Sequence, residues 1–327
     1  MLKQALGVLA ATAVPFLLFT PGAQAAGSTS ASAFASAAAK VCRAGKPHAA
    51  GTTAYRLESG GVTREYLLYV PARYDGRMRL PVIFDFHGSG SNPEEELEVS
   101  GMAAAAERHG FLVLLPVAAV RFQLGGHTWN VPPVEGMPDD VRFAYDALRH
   151  AAGRVCVDDD RVYAAGFSGG ARLASELACA LPGRIAALGA VGGLRAPRRC
   201  DRRIVPVVAF HGTADPVNPY AGGGPGYWGY GVDAAVHAWA AQNRCAPEPT
   251  ATRVSESVLE VAHAGCEARA EVVLYRIAGG GHTWPGSRFR FPVDRFGTTT
   301  AEIDATERMV EFFARHARPA EAPTVAP

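Results

Sequence analysis

Apolar runs alternate with amphipathic stretches along most of the chain. Residues 65–70, 81–86, 111–116, 161–165, 186–191, 205–210 and 271–277 are apolar runs of strand length. Most are continuously apolar rather than alternating, as expected of strands covered on both faces. Between them, residues 93–109, 139–152, 169–181, 233–243 and 300–316 carry apolar positions at three-to-four spacing, several with acidic first turns, and predict crossover helices. That alternation predicts an α/β fold: a mostly parallel sheet with helices on both faces. No fixed-period repeat and no linker interrupts it between Leu68 and His316, so a single domain is expected over residues 53–317.

Residues 1–25 have a different character. Lys3 supplies a positive start, residues 5–19 are an apolar run, and Ala23-Gln24-Ala25 is a small-x-small cleavage site, the pattern of an export signal. The run contains Pro15 and is shorter than the roughly 20 residues a membrane span needs. An N-terminal extension over 26–52 and a Pro- and Ala-rich tail over 318–327 flank the domain. Removing 25 residues from 327 leaves 302, enough for one large core.

Composition narrows the class. Hydrophobic residues make up 48% and charged residues 19%, as in a globular protein, and the net charge of +1 argues against a nucleic-acid or anionic-surface binder. Export turns the six cysteines into disulfide candidates. Many pairings are open; short loops favour Cys179–Cys200 and Cys245–Cys266, leaving Cys42 for Cys156. No CxxC or CxxH spacing suggests zinc.

The chemistry begins at Gly166-Phe167-Ser168-Gly169-Gly170, a G-x-S-x-G pentapeptide. The motif is short, but a buried-strand sequence precedes it and a helical one follows. A nucleophile elbow requires that sharp strand-to-helix turn, with small residues two before and two after the serine. A serine hydroxyl also needs an imidazole to take its proton and a carboxylate to orient the imidazole. In the order Ser, acid, His, the candidates are Asp215, closing His211-Gly212-Thr213-Ala214-Asp215, and His282, in Gly279-Gly280-Gly281-His282-Thr283-Trp284. Both fall just past predicted strands, where such sheets place their sites. Asp201, which precedes its strand, and Asp233, which reads as a helix N-cap, are weaker acids for the role. Asp215 could alternatively form only an Asx turn, and His282 only a loop hydrogen bond.

Acyl transfer further needs two N–H groups aimed at the developing oxyanion. Gly169 is expected to give one and Ser89, in the turn Phe86-His87-Gly88-Ser89-Gly90-Ser91, the other; His87 reads as structural. Trp129, Tyr220, Trp228 and Trp284 are candidates for contact with substrate. Gly224 to Gly229 spells G-x-G-x-x-G but follows a turn instead of a strand, so no dinucleotide site is expected. Asp158-Asp159-Asp160 lacks the rest of a calcium loop.

With these motifs placed, the sequence resembles the secreted esterases grouped with polyhydroxybutyrate depolymerases and feruloyl esterases, a branch of the α/β-hydrolases. The resemblance rests on Phe86-His87-Gly88, the pentapeptide around Ser168, His211 to Pro216, Tyr227-Trp228-Gly229-Tyr230 and Gly280-Gly281-His282-Thr283-Trp284-Pro285-Gly286. It covers residues 65–316. Many relatives have cysteine after His-Gly where this chain has Ser89, a change that a backbone donor tolerates. The resemblance implies Ser168 as nucleophile, His282 as base and Asp215 as its orienter, with no metal or organic cofactor. It implies a small or oligomeric ester as the partner, such as a hydroxycinnamoyl ester or a 3-hydroxyalkanoate oligomer. Room for a separate polymer-binding module is not expected, nor is a nucleic-acid partner, a membrane after signal cleavage, or an oligomer. The rival readings are a serine acyltransferase or peptidase on the same scaffold and, outside enzymes, an exported binding protein that lost turnover.

Overall fold

The computed structural model describes residues 41–318 apart from 182, 199 and 202. The expected export signal lies outside the described residues, as do most of the extension and the tail. The strands are β1 (Gly51–Ser59), β2 (Val62–Val70), β3 (Leu80–Phe86), β4 (Leu112–Pro116), β5 (Val120–Arg121), β6 (His127–Thr128), β7 (Val157–Gly166), β8 (Ala187–Val191), β9 (Val207–Gly212), β10 (Thr250–Arg253), β11 (Val258–His263) and β12 (Val272–Ile277). The helices are α1 (Pro93–Ser100), α2 (Met102–His109), α3 (Asp140–Ala152), α4 (Gly169–Ala180), α5 (Val232–Gln242), α6 (Val293–Phe296) and α7 (Ala305–Ala314).

Ten strands form one sheet in the order β1-β2-β4-β3-β7-β8-β9-β12-β11-β10. The stretch from β4 to β12 is parallel. Antiparallel strands extend it at both edges. All seven runs read as strands are in this sheet. The small hairpin of β5 and β6 stands apart.

Alternation along the buried strands divides the core in two. Phe84, Leu114, Val162, Ala164, Leu188 and Ala209 face α3, α4 and α5, whereas Ile83, Val113, Tyr163, Val208 and Phe210 face α2 and α7. The helices thus cover both faces, as in an α/β-hydrolase, and the sheet is fixed in register because a one-residue slip would exchange the two cores.

Two details depart from the sequence reading. The stretch 93–109 is two helices, since Gly101 at φ 66° caps α1 with its N–H on the Leu97 carbonyl and restarts the chain as α2. Asp233 is not a cap: Gly231 caps α5, and the Asp233 carboxylate accepts from the Tyr220 hydroxyl at 2.5 Å. The cysteines pair as Cys42–Cys156, Cys179–Cys200 and Cys245–Cys266, a pattern that belongs to an oxidising, extracytoplasmic setting.

Candidate active site

Four loops meet at the carboxyl ends of β3, β7, β9 and β12. At the first turn, Ser168 sits between β7 and α4 with φ 51° and ψ −112°, a strained conformation for a residue with a Cβ. The surroundings hold it there. Its N–H donates to the Val191 carbonyl at 2.8 Å, and the Phe167 N–H donates to that of Phe86 at 3.1 Å. The glycines on either side are required for a steric reason. A Cβ on Gly166 would lie 2.7 Å from Gly170 C, and one on Gly170 would overlap the Phe86 carbonyl and lie 2.7 Å from His87 O.

Asp215 and His282 are joined. His282 Nδ1 is 2.7 Å from Asp215 Oδ2, and the other carboxylate oxygen accepts from the N–H groups of Val217 and Asn218 at 2.8 and 2.7 Å. His211 Nε2 also approaches Oδ2, at 3.2 Å, while donating to the Asn218 carbonyl. Burial alone would push the Asp215 carboxyl upward, but hydrogen bonds from His211 and His282 outweigh it and hold the group well below the carboxylate range. Asp215 is therefore held as an anion.

Ser168 and His282 line the same cavity, of roughly 850 Å³. Among the described residues no hydrogen bond joins the serine hydroxyl to the imidazole, a common condition of sites without substrate, where such contacts are long. Gly169 and Ser89 lie side by side: a Cβ on Gly169 would be 3.1 Å from Ser89 N. His87 holds the Ser89 turn from beneath. Its Nδ1 is 2.8 Å from the Gly88 carbonyl and its Nε2 accepts from the Ala118 N–H, while burial lowers its pKa to about 4 and keeps the ring neutral. Behind the turn lie two buried carboxyls. Asp85 accepts from the Ser100 hydroxyl at 2.7 Å and is pushed by burial up to about 7. Glu96 is raised well above the carboxylate range by burial and by Asp85.

The predicted substrate-contact residues divide. Trp129 lines the cavity, its indole N–H donating to the His87 carbonyl. Tyr220, Trp228 and Trp284 are not part of that lining. Trp228 stacks on His211 at 5.6 Å and donates to the Pro219 carbonyl. Trp284 is buried with its N–H on Thr306 Oγ1 and its edge on Phe167. Tyr220 meets the edge of His211. They pack around the loops that carry Asp215 and His282 instead.

Sequence reading missed a wall of the cavity made by Phe289, Arg290, Phe291, Pro292, Arg295 and Phe296. This segment follows the His282 loop and is hydrogen-bonded to it, His282 N–H donating to the Phe296 carbonyl at 2.6 Å. The signal in the sequence was Arg288-Phe289-Arg290-Phe291, an alternation of cation and ring that lies outside every predicted strand and helix. Phe122, Tyr227 and Arg172 complete the aromatic and basic lining. Among the described residues, no cluster of His, Cys, Asp or Glu forms a metal site.

Residues 64–198 match the family described as Esterase PHB depolymerase. The chain is 30% identical to a Nocardia uniformis subsp. tsuyamanensis protein provisionally named esterase NocK, over 80% of this chain and 83% of that one. It is 28% identical to feruloyl esterase B of Piromyces equi, over 67% of this chain but only 42% of that enzyme. Its fold resembles that of the acetyl xylan esterase from Aspergillus awamori, with a TM-score of 0.54 at 12% identity, covering 80% of this chain and 99% of the other. The chain is thus an esterase, a carboxylic ester hydrolase belonging to the family of polyhydroxybutyrate depolymerases and feruloyl esterases.

Proposed function

We propose that this protein is an exported serine esterase that works through Ser168, His282 and Asp215 and an acyl-enzyme. The observation that carries the reading is the Asp215–His282 hydrogen bond of 2.7 Å at the wall of the cavity into which the strained elbow places Ser168. Ser168 Oγ attacks the ester carbonyl as His282 Nε2 takes its proton, and the tetrahedral oxyanion settles between the N–H groups of Ser89 and Gly169. Among the described residues neither N–H has a backbone or side-chain acceptor. Asp215 holds Nδ1–H toward itself, fixing the tautomer and stabilising the imidazolium. Collapse expels the alcohol, which leaves with the proton from His282; water then enters by the reverse path and frees the acid.

The substrate range we propose is feruloyl-type or short 3-hydroxyalkanoate esters, because the cavity walls combine rings with polar groups and the curated relatives include feruloyl esterases. Export through removal of residues 1–25 agrees with the three disulfides and gives a mature terminus at Ala26. A fluorophosphonate labels Ser168 in the native protein, and Ser168→Ala abolishes labelling and lowers turnover of p-nitrophenyl acetate by several orders of magnitude at nearly unchanged stability. Full turnover by Ser168→Ala, or cleavage of a peptide anilide with none of feruloyl, acetyl or 3-hydroxybutyryl esters, would refute the proposal.

A further inference from the structure

Arg172 is the unexplained charge of the site. It lies in the first turn of α4, one helical turn beyond Ser168, and is 7% exposed. It takes part in no ion pair among the described residues, and its Nε and Nη1 have no hydrogen-bond partner. Nη2 donates to Ser89 Oγ at 3.2 Å, and the guanidinium carbon stacks over the Tyr227 ring at 4.2 Å. Both neighbours line the cavity, as does Arg172 itself. A guanidinium cannot shed its proton near neutral pH, so a buried one without an anion is costly unless an anion arrives.

The surroundings favour the same sign. The amino end of α4 points its partial positive charge at this corner. A Cβ on Gly169 would be 3.2 Å from Arg172 Nη2 and 3.1 Å from Ser89 N, so the guanidinium adjoins the proposed oxyanion donors. Arg290 and Arg295 stand exposed on the opposite wall, also without ion pairs among the described residues. Against these three cations the lining offers only two carboxyls, Glu95 and the buried Glu96, whose ionisation burial and the neighbouring Asp85 disfavour.

We infer that Arg172 receives a carboxylate of the substrate, so that the preferred esters are anionic ones. The inference rests on the esterase reading and sharpens it: a hydroxyalkanoate oligomer ends in a carboxylate, whereas a feruloyl ester of a neutral sugar has none. Arg172 Nε and Nη1 hold N–H groups without a protein acceptor, and either one, paired with the second N–H of Nη2, makes the planar fork that a carboxylate accepts, while Arg290 and Arg295 raise the local concentration of anions at the mouth.

The test compares esters that differ by methyl against carboxylate. On the acyl side these are p-nitrophenyl butyrate and p-nitrophenyl hemisuccinate; on the alcohol side, p-tolyl acetate and 4-acetoxybenzoate. With rates corrected for spontaneous hydrolysis, the wild-type kcat/KM favours the anion in at least one pair, on the order of tenfold. In Arg172→Met that ratio falls to about one or below. A wild type that prefers the neutral ester in both pairs, or a preference that survives Arg172→Met, overturns the inference while leaving the esterase reading intact. Turnover of none of the four esters removes both. Because Arg172 is buried and its substitution can impair folding, inhibition of the wild type is measured too: 4-hydroxybenzoate or succinate competes with substrate, and the corresponding neutral amide competes at least tenfold more weakly. Equal inhibition by acid and amide also overturns the inference.

Discussion

Gly170→Ala tests the packing on which the elbow depends. The added methyl would overlap the Phe86 carbonyl and stand 2.7 Å from His87 O, where an ordinary contact needs about 3.4 Å. Both obstacles are backbone, so no side chain can turn aside, and the amino end of α4 must retreat from the end of β3 by more than about 1 Å to clear the Phe86 carbonyl. Overpacking of this kind costs about 1–3 kcal/mol or more. The loss of activity is larger. The retreat carries Ser168 and Gly169 away from Ser89, and thereby separates the proposed nucleophile and one proposed oxyanion donor from the other. A misplacement near 1 Å costs on the order of 100-fold, and a lost oxyanion donor about 100- to 1000-fold. Expected are a fall of several degrees in Tm and a drop in kcat/KM on p-nitrophenyl acetate of at least about 100-fold. Gly229→Ala is the control, since a methyl there meets nothing within 4 Å, and it leaves both quantities near wild type. If Gly170→Ala keeps wild-type kcat/KM and Tm, the account of why that position is glycine is wrong.

Three further outcomes follow from the same structure. Asp215→Asn leaves the fold in place but lowers kcat by about four orders of magnitude, because an amide cannot hold His282 in its working tautomer; near-normal turnover with intact circular dichroism counts against the assignment. Asp85 is held protonated in the fold to about pH 7 against 3.8 for an ordinary aspartate, so its contribution is fully present below about pH 4, is lost as pH rises to about 7, and is constant above that. Urea titrations from pH 4 to 8 show Asp85→Asn removing part of that decline, up to about 4 kcal/mol, and an identical slope in wild type and variant speaks against the buried-carboxyl explanation. Arg64 and Asp140 form a buried pair at 2.8 Å, and Asp140 Oδ2 also accepts the Asn130 N–H beside Trp129. Arg64→Met therefore destabilises by about 3–5 kcal/mol, checked by urea unfolding, and a change below about 1 kcal/mol contradicts it.

The parallel core was legible because its strands are apolar on both faces and its helices carry a clear period. The edges were not. Along β1 every second residue is exposed and the rest are only half-buried until Ser59, and all four residues of β10 are exposed. Such strands are held by backbone pairing to a neighbour, which leaves little trace in composition. The candidate site could be read because its loops need particular residues: glycines at 166 and 170, and Asp215 and His282 just beyond apolar strands. The cavity wall could not, since Tyr227 lines it where Trp228, next in sequence, turns inward to cover His211. Which of two adjacent rings faces the solvent side of a loop is decided by partners far along the chain.

The segment from Phe289 to Phe296 has a wider consequence. On the proposed reading its rings and cations, which line the cavity, select among substrates, yet the Phe296 and Thr298 carbonyls accept the backbone N–H groups of His282 and Gly281. Selectivity and reactivity therefore share one scaffold. Divergence toward a new ester by exchanging these residues would disturb the seat of the proposed general base, and the β5–β6 hairpin is tied in the same way to the proposed oxyanion turn, its His127 carbonyl accepting from Gly90 and its Thr128 hydroxyl meeting that of Ser89.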